Sequence, residues 1–201
     1  INLSLTRDLK TYTSLDSLLI IGQTFPEPTT TAAGVRMLQL IEMFTGHGYH
    51  ITFASSAASS EKSVNLDTLG VATEQIAIND ASFNDFVRKL NPTLVLFDRF
   101  ITEEQFAWRV SQSCPKALKI LDTEDLHFLR KARQQAFKDG IDVKDANLFT
   151  ETAKREIASI LRCDLSLIIS EFEMELLTAT FAVSKELLYY LPFMVTELPD
   201  S

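Results

Sequence analysis

Short runs rich in Ile, Leu and Val recur along this chain, each followed by a longer segment of helical period, and this alternation constrains the fold more than any other feature. It is the rhythm of parallel strands joined by crossover helices. The strand candidates are SLLIIGQ at 17–23, HITFAS at 50–55, TEQIAI at 73–78, TLVLFD at 93–98, ALKILD at 117–122 and DLSLIIS at 164–170. Several lack in–out alternation, as expected of strands covered on both faces. Helices are predicted over roughly 32–46, 82–90, 102–113, 124–138, 145–162 and 171–179. The expected fold class is therefore α/β, with a mainly parallel sheet and helices on both faces. At 201 residues and 46% hydrophobic content, the chain is long enough to bury a core as one large domain or two small ones.

The flanks read differently. Residues 1–16 form a polar, weakly patterned lead-in, and SSAASSEKS at 55–63 reads as a surface loop. The C-terminal stretch YYLPFMVTELPDS runs into prolines and acids, so 196–201 is expected to start a linker into a further domain. The first residue is Ile1 rather than Met, which suits a piece of a longer protein. A net charge of -8 disfavours broad binding to nucleic acid or anionic lipid, since neutralising phosphates needs an excess of Lys and Arg. Cys114 and Cys163 lie far apart and outside any Cys-x-x-Cys spacing, favouring free thiols in a reducing compartment, and a cytoplasmic location is the expectation. No apolar run reaches the ~18 residues needed to span a bilayer.

In an open parallel sheet, ligands gather beyond the carboxyl ends of the strands, and that rule selects the site candidates. After the first strand, GQTFPEPTTTAAGVRMLQL carries Ala33, Gly34 and Arg36 into a helix start. Glycine permits close backbone approach and a helix N-terminus offers unpaired N–H groups, so this loop suits a phosphate; a long loop capped by Thr suits it as well. After the fourth strand, Asp98 and Arg99 either line a cleft or form a cap or loop ion pair. After the fifth, Asp122, Thr123, Glu124 and Asp125 are expected to open a helix with their side-chain oxygens and charge. That would set His127 in the first turn, where the helix dipole favours neutral imidazole. An isolated histidine also fits a purely structural place. Leu126, Leu129, Ala132, Ala136 and Phe137 are expected to form the inward stripe of this helix, with Arg130, Lys131 and Arg133 outward. Ser170 with Glu173 reads as a capping box. Three scattered histidines without clustered partners give no metal site, and GxGxxG, GxSxG and P-loop motifs are absent.

Taken in order, FPEPTTTAAGVRMLQLIEMFTGHGYHITFAS, PTLVLFDRF, LKILDTEDLHFLRKAR, CDLSLIISEFEMELL and LLYYLPFMV resemble the N-terminal half of a GT-B glycosyltransferase of retaining family 4, also called group 1. The likeness spans about residues 17–195, and LDTEDLHFLRKAR carries it most specifically. The family's glycine pair is reduced here to Ala33-Gly34. The resemblance implies a Rossmann-like, doubly wound acceptor domain paired with a second Rossmann-like domain across a nucleotide-sugar cleft. It implies that Ala33, Gly34 and Arg36 approach the donor diphosphate, that His127 is the catalytic candidate near the transferred sugar, and that Asp98 and Asp122 line the acceptor side. It implies no cofactor and no catalytic metal, a nucleotide-sugar and an acceptor as ligands, and little or no transfer by these 201 residues alone. A noncatalytic binding or assembly module that kept the fold is the alternative.

Overall fold

The computed structural model describes residues 16–194. The expected lead-in, apart from Asp16, and the expected linker start at 196–201 lie outside the described residues. The chain runs β1 (Ser17–Gly22), α1 (Ala32–Gly46), β2 (His50–Ser55), β3 (Ala72–Gln75), α2 (Ser82–Leu90), β4 (Leu94–Asp98), α3 (Arg99–Ser113), β5 (Leu118–Asp122), α4 (His127–Asp139), α5 (Glu151–Arg162), β6 (Leu165–Ile168), α6 (Glu171–Ala179) and β7 (Leu188–Tyr190). The strands form one sheet in the order β3-β2-β1-β4-β5-β6-β7, and every pairing is parallel.

The unalternating apolar runs are explained by cover on both sides. Leu18 and Ile20 of β1 pack with Met37, Leu40 and Ile41 of α1, while Leu19 and Ile21 pack on the opposite face with Val95, Phe97, Phe83, Val87, Phe106 and Val110. Burying the four aliphatics of β1 contributes on the order of 6–12 kcal/mol before chain entropy is counted. The fold is the expected α/β Rossmann-like arrangement with a parallel sheet between helices.

α1, α2 and α6 occupy the expected ranges. α5 starts later than residue 145 because side chains turn the chain first: Asp142 accepts the amide of Lys144 at 2.9 Å and Asn147 that of Phe149 at 3.0 Å. Thr150 then caps α5 by accepting the amide of Ala153 at 3.2 Å. α3 reaches back to Arg99 rather than residue 102. β3 is shorter than TEQIAI, and its exposed residues suit its place at the sheet edge. β7 was not foreseen as a strand; three residues are too few to show a period. Phe137, expected inward, is 82% exposed, because it lies one helical step off the Phe128, Leu129, Ala132 and Ala136 stripe.

α4 corrects a larger expectation. Asp122 to Asp125 do not open the helix, since Glu124 has φ 58° and interrupts the helical path. The amides at its start are capped from other helices: Glu156 of α5 accepts from His127 at 3.0 Å and Phe128 at 2.9 Å, and Glu173 of α6 accepts from Leu126 at 3.0 Å. Glu173 also takes part in the predicted capping box, its amide donating to Ser170 Oγ at 3.2 Å.

Candidate functional site at the sheet switch point

β1 and β4 are neighbours, yet the chain leaves β1 toward β2 and leaves β4 toward β5, on opposite sides. A crevice is expected where the winding reverses. A cleft of about 140 Å³ lies at that point, walled by the β1–α1 loop from Gln23 to Glu27, by Thr31, Ala33 and Gly34, and by Asp98 and Arg99.

The loop is a folded structure in its own right. Glu27 carbonyl accepts the amides of Thr30 and Thr31, each at 3.0 Å, and Thr31 Oγ1 caps α1 by accepting the amide of Gly34 at 3.0 Å. Gly34 serves this packing. A Cβ there would lie 2.5–2.7 Å from the backbone of Glu27, so the close approach that requires glycine is made by the chain itself.

Arg36 lies wholly inside the fold. Its side chain has no exposed surface, and its Nε lies 2.9 and 3.0 Å from the two carboxylate oxygens of Asp122, with Nη2 2.8 Å from Oδ1. Nη1 donates to the carbonyls of Leu191 at 2.9 Å and Pro192 at 3.4 Å, and the Phe193 ring centroid lies 5.5 Å away. Gln39 Nε2 donates to the Met194 carbonyl beside them. Arg36 therefore fastens α1 to the end of β5 and to the segment that leaves β7. Asp122 is equally enclosed. Burial pushes its carboxyl up, and the Arg36 guanidinium opposes that rise.

Asp98 stands beside Asp122 in the β4–β5 register, and it does reach the cleft. Its Oδ2 accepts the Gln23 amide at 2.9 Å, and Arg99 Nε and Nη2 reach Oδ1 and Oδ2 at 2.9 and 3.2 Å. The ion-pair reading of Asp98 is thus met, without a cap hydrogen bond. Arg99 Nε also lies 3.3 Å from Glu124. Both turns are left-handed at a non-glycine residue, Arg99 with φ 70° and Glu124 with φ 58°, a conformation that costs ~1 kcal/mol or more and clusters at binding sites.

Glu124 lies beside Arg99 and Asp98. Burial pushes its carboxyl up to about 8, the Asp98 charge adds to the rise, and Arg99 opposes it. Burial pulls the Arg99 guanidinium down, but the Asp98 and Glu124 carboxyls outweigh it and leave Arg99 above its ordinary value.

His127 is set apart from the cleft wall. Its ring packs edge-on against Phe100 at 5.6 Å, and Nδ1 lies 3.6 Å from Glu156 Oε1. Of the predicted residues, then, Ala33, Gly34 and Asp98 share the cleft; Arg36 and Asp122 form a buried pair; His127 sits on the α3–α4–α5 side. Gln23 and Glu27 were missed, although Gln23 ends the first strand run and falls under the same rule. Glu156 had a usable signal, a carboxylate on the apolar stripe of Ala153 and Ile160.

No protein-family model matches the sequence, and no curated protein matches it. Solved structures do. Sucrose-phosphate synthase from Thermosynechococcus elongatus superposes with a TM-score of 0.62 at 12% identity, covering 88% of this chain and 48% of the other. The lipopolysaccharide outer core galactosyltransferase WaaB in its apo form gives a TM-score of 0.56 at 12% identity, covering 90% and 47%. Glycyrrhiza uralensis UGT73P12, complexed with glycyrrhetinic acid 3-O-monoglucuronide, gives 0.50 at 10% identity, covering 81% and 45%. This is one half of a GT-B glycosyltransferase fold. The glycosyltransferase-like half spans about half the length of the solved structures it matches. Among the described residues, no helix is long and apolar enough to cross a membrane.

Proposed function

We propose that this chain is the N-terminal, acceptor-binding half of a retaining glycosyltransferase that moves a sugar from a nucleotide-sugar to a saccharide, lipid or protein acceptor in the cytoplasm. The observation that carries the reading is a GT-B half whose cleft lies at the sheet switch point and is walled by Asp98 and the β1–α1 loop. In this reading the donor is held mainly by a second Rossmann-like domain, because Arg36 is committed to Asp122 and the 191–192 carbonyls. Neither cofactor nor metal is assigned a part. Asp98 orients the acceptor, and His127, set back from the cleft wall on the α3–α4–α5 side, is the catalytic candidate. The 201 residues alone hold half a cleft and are expected not to transfer sugar.

The test is sugar transfer by a protein that joins this chain to its second domain, across a panel of nucleotide-sugars, with Asp98→Asn and His127→Ala beside the parent sequence. Transfer that falls in a still-folded Asp98→Asn protein supports the reading. Transfer by the 201 residues alone overturns the expectation of inactivity.

One observation favours a second reading, a noncatalytic module that kept the fold. Gly34 and Arg36, two of the positions that would meet a donor, are both engaged within the chain. In that case the joined protein transfers nothing from any donor.

A further inference from the structure

We infer that Glu156 is a positioning residue for His127: it holds the neutral imidazole in the tautomer with the proton on Nδ1, which leaves Nε2 as a hydrogen-bond acceptor directed away from it. The tautomer follows from the packing alone; only its use in sugar transfer rests on the glycosyltransferase reading.

Glu156 sits where a carboxylate is costly, 1% exposed on the buried face of α5 between Ala153 and Ile160. Its oxygens accept the amides of His127 at 3.0 Å and Phe128 at 2.9 Å, which caps α4 yet uses only two of the roughly four acceptor positions a carboxylate offers. The spare capacity lies beside an orphaned group. His127 Nδ1 is buried, has no hydrogen-bond partner and stands 3.6 Å from Glu156 Oε1. That separation is a contact rather than a hydrogen bond, but it is short enough to decide which nitrogen carries the proton. A bare Nδ1 would set its lone pair against a carboxylate oxygen out of reach of water, whereas an N–H there meets the same charge favourably. Closure by about half an ångström would complete the bond and satisfy the buried nitrogen.

The ring has little room to turn away from this choice. It packs edge-on against Phe100 at 5.6 Å, and Phe100 is itself buried, with the Arg155 guanidinium 5.2 Å from its ring centroid. One carboxylate thus faces both the backbone amide and the ring nitrogen of the same residue, and fixes the direction of the imidazole together with its proton. The two ring nitrogens point apart, so Nδ1 turned to Glu156 directs Nε2 the other way, with a lone pair and no proton. The His127 side chain keeps 11% of its surface, so the ring is not wholly sealed. In the proposed transferase, Nε2 accepts a hydrogen bond from a sugar hydroxyl and donates none.

The test reads the imidazole nitrogens directly, by long-range proton–nitrogen NMR of the chain carrying isotope-labelled histidine, at alkaline pH with the rings neutral and with His127→Ala to assign the signals. The expected result is a protonated Nδ1 and a bare Nε2 at His127, favoured over the other tautomer by roughly tenfold or more. Glu156→Gln replaces the charge by an amide and is expected to lower that ratio about fivefold. His47, whose Nδ1 lies 2.7 Å from the Met43 carbonyl, is expected to stay unchanged and serves as the internal reference. A His127 ring protonated mainly on Nε2 in the parent protein overturns the inference without need of any variant, and so does a ratio that a folded Glu156→Gln protein leaves untouched. The two claims fail separately. A ring protonated on Nδ1 in a joined protein that transfers nothing from any nucleotide-sugar sinks the enzyme reading alone; sugar transfer by a protein whose His127 carries its proton on Nε2 sinks this inference alone.

Discussion

Arg36→Met separates a buried clamp from a ligand-binding arginine. In the clamp account the substitution removes the Nε and Nη2 contacts to Asp122 at 2.8–3.0 Å and the Nη1 bonds to Leu191 and Pro192, and strands the Asp122 carboxylate in a site with no exposed surface. Removing one partner of a buried ion pair costs ~3–5 kcal/mol. For a chain of this size that corresponds to a fall in Tm of roughly 6–20 °C. The loss is tempered as Asp122 takes up a proton, so Arg36→Met is expected to grow more stable, relative to the parent, as pH falls. Arg36→Met with Asp122→Leu should recover much of the deficit, since a well-packed apolar pair replaces an unmatched charge. Arg36→Lys should remain destabilised, because an ammonium cannot reproduce the two-pronged grip. Urea denaturation followed by circular dichroism, with a double-mutant cycle, measures each figure. An Arg36→Met protein within ~0.5 kcal/mol of the parent, with no coupling to Asp122, would refute the clamp.

Three other outcomes follow from the same geometry. Glu156→Leu loses two charge-assisted bonds to the amides of His127 and Phe128 and should cost ~3 kcal/mol or more, whereas Glu156→Gln keeps one acceptor and should cost about half as much; equal urea midpoints for both and the parent would contradict trans-capping. Glu124 has its folded-state carboxyl raised from 4.5 to about 8, so the unfolded chain binds fewer protons between those values, and stability should fall as pH rises from about 4.5 to 8 and be unaffected by this group below 4.5. Glu124→Gln should flatten that part of the profile, and an unaltered slope would count against the buried, protonated state. Gly34→Ala drives a Cβ into the Glu27 backbone and should cost ~1–3 kcal/mol while shifting the NMR signals of the β1–α1 loop; a protein as stable as the parent would show that the loop has room.

Much of the fold was legible in the chain because a strand buried on both faces must be apolar at successive positions. SLLIIG, LVLFD and LSLI could hardly be anything else once helical segments separate them. β7 and the late start of α5 were hidden for a local reason: three residues show no period, and Asx turns leave no hydrophobic pattern. The strand-end rule pointed to Asp98 and the β1–α1 loop, and both line the cleft at the switch point. It could not show that Arg36 would pair with Asp122 across 86 positions, since two opposite charges in a sequence look the same whether they face a ligand or each other. Gly34 is ambiguous in the same way, because glycine signals that some backbone comes close without saying which, and here the Glu27 backbone does. The acids at 122–125 matched a helix start by composition, but the left-handed turn at Glu124 moved the start to His127 and passed the capping to Glu156 and Glu173. Glu124 gained its character from burial beside Asp98, a property of tertiary packing alone.

The most direct test of the central claim is sugar release and transfer by this chain joined to a second Rossmann-like domain of the kind the proposed function calls for, measured by mass spectrometry across nucleotide-sugars and neutral glycoside acceptors. The account predicts a glycosylated product with at least one donor, lost when the second domain is removed and reduced in a folded Asp98→Asn protein. Absence of any product across the full donor and acceptor panel, from a joined protein shown to be folded, would contradict it.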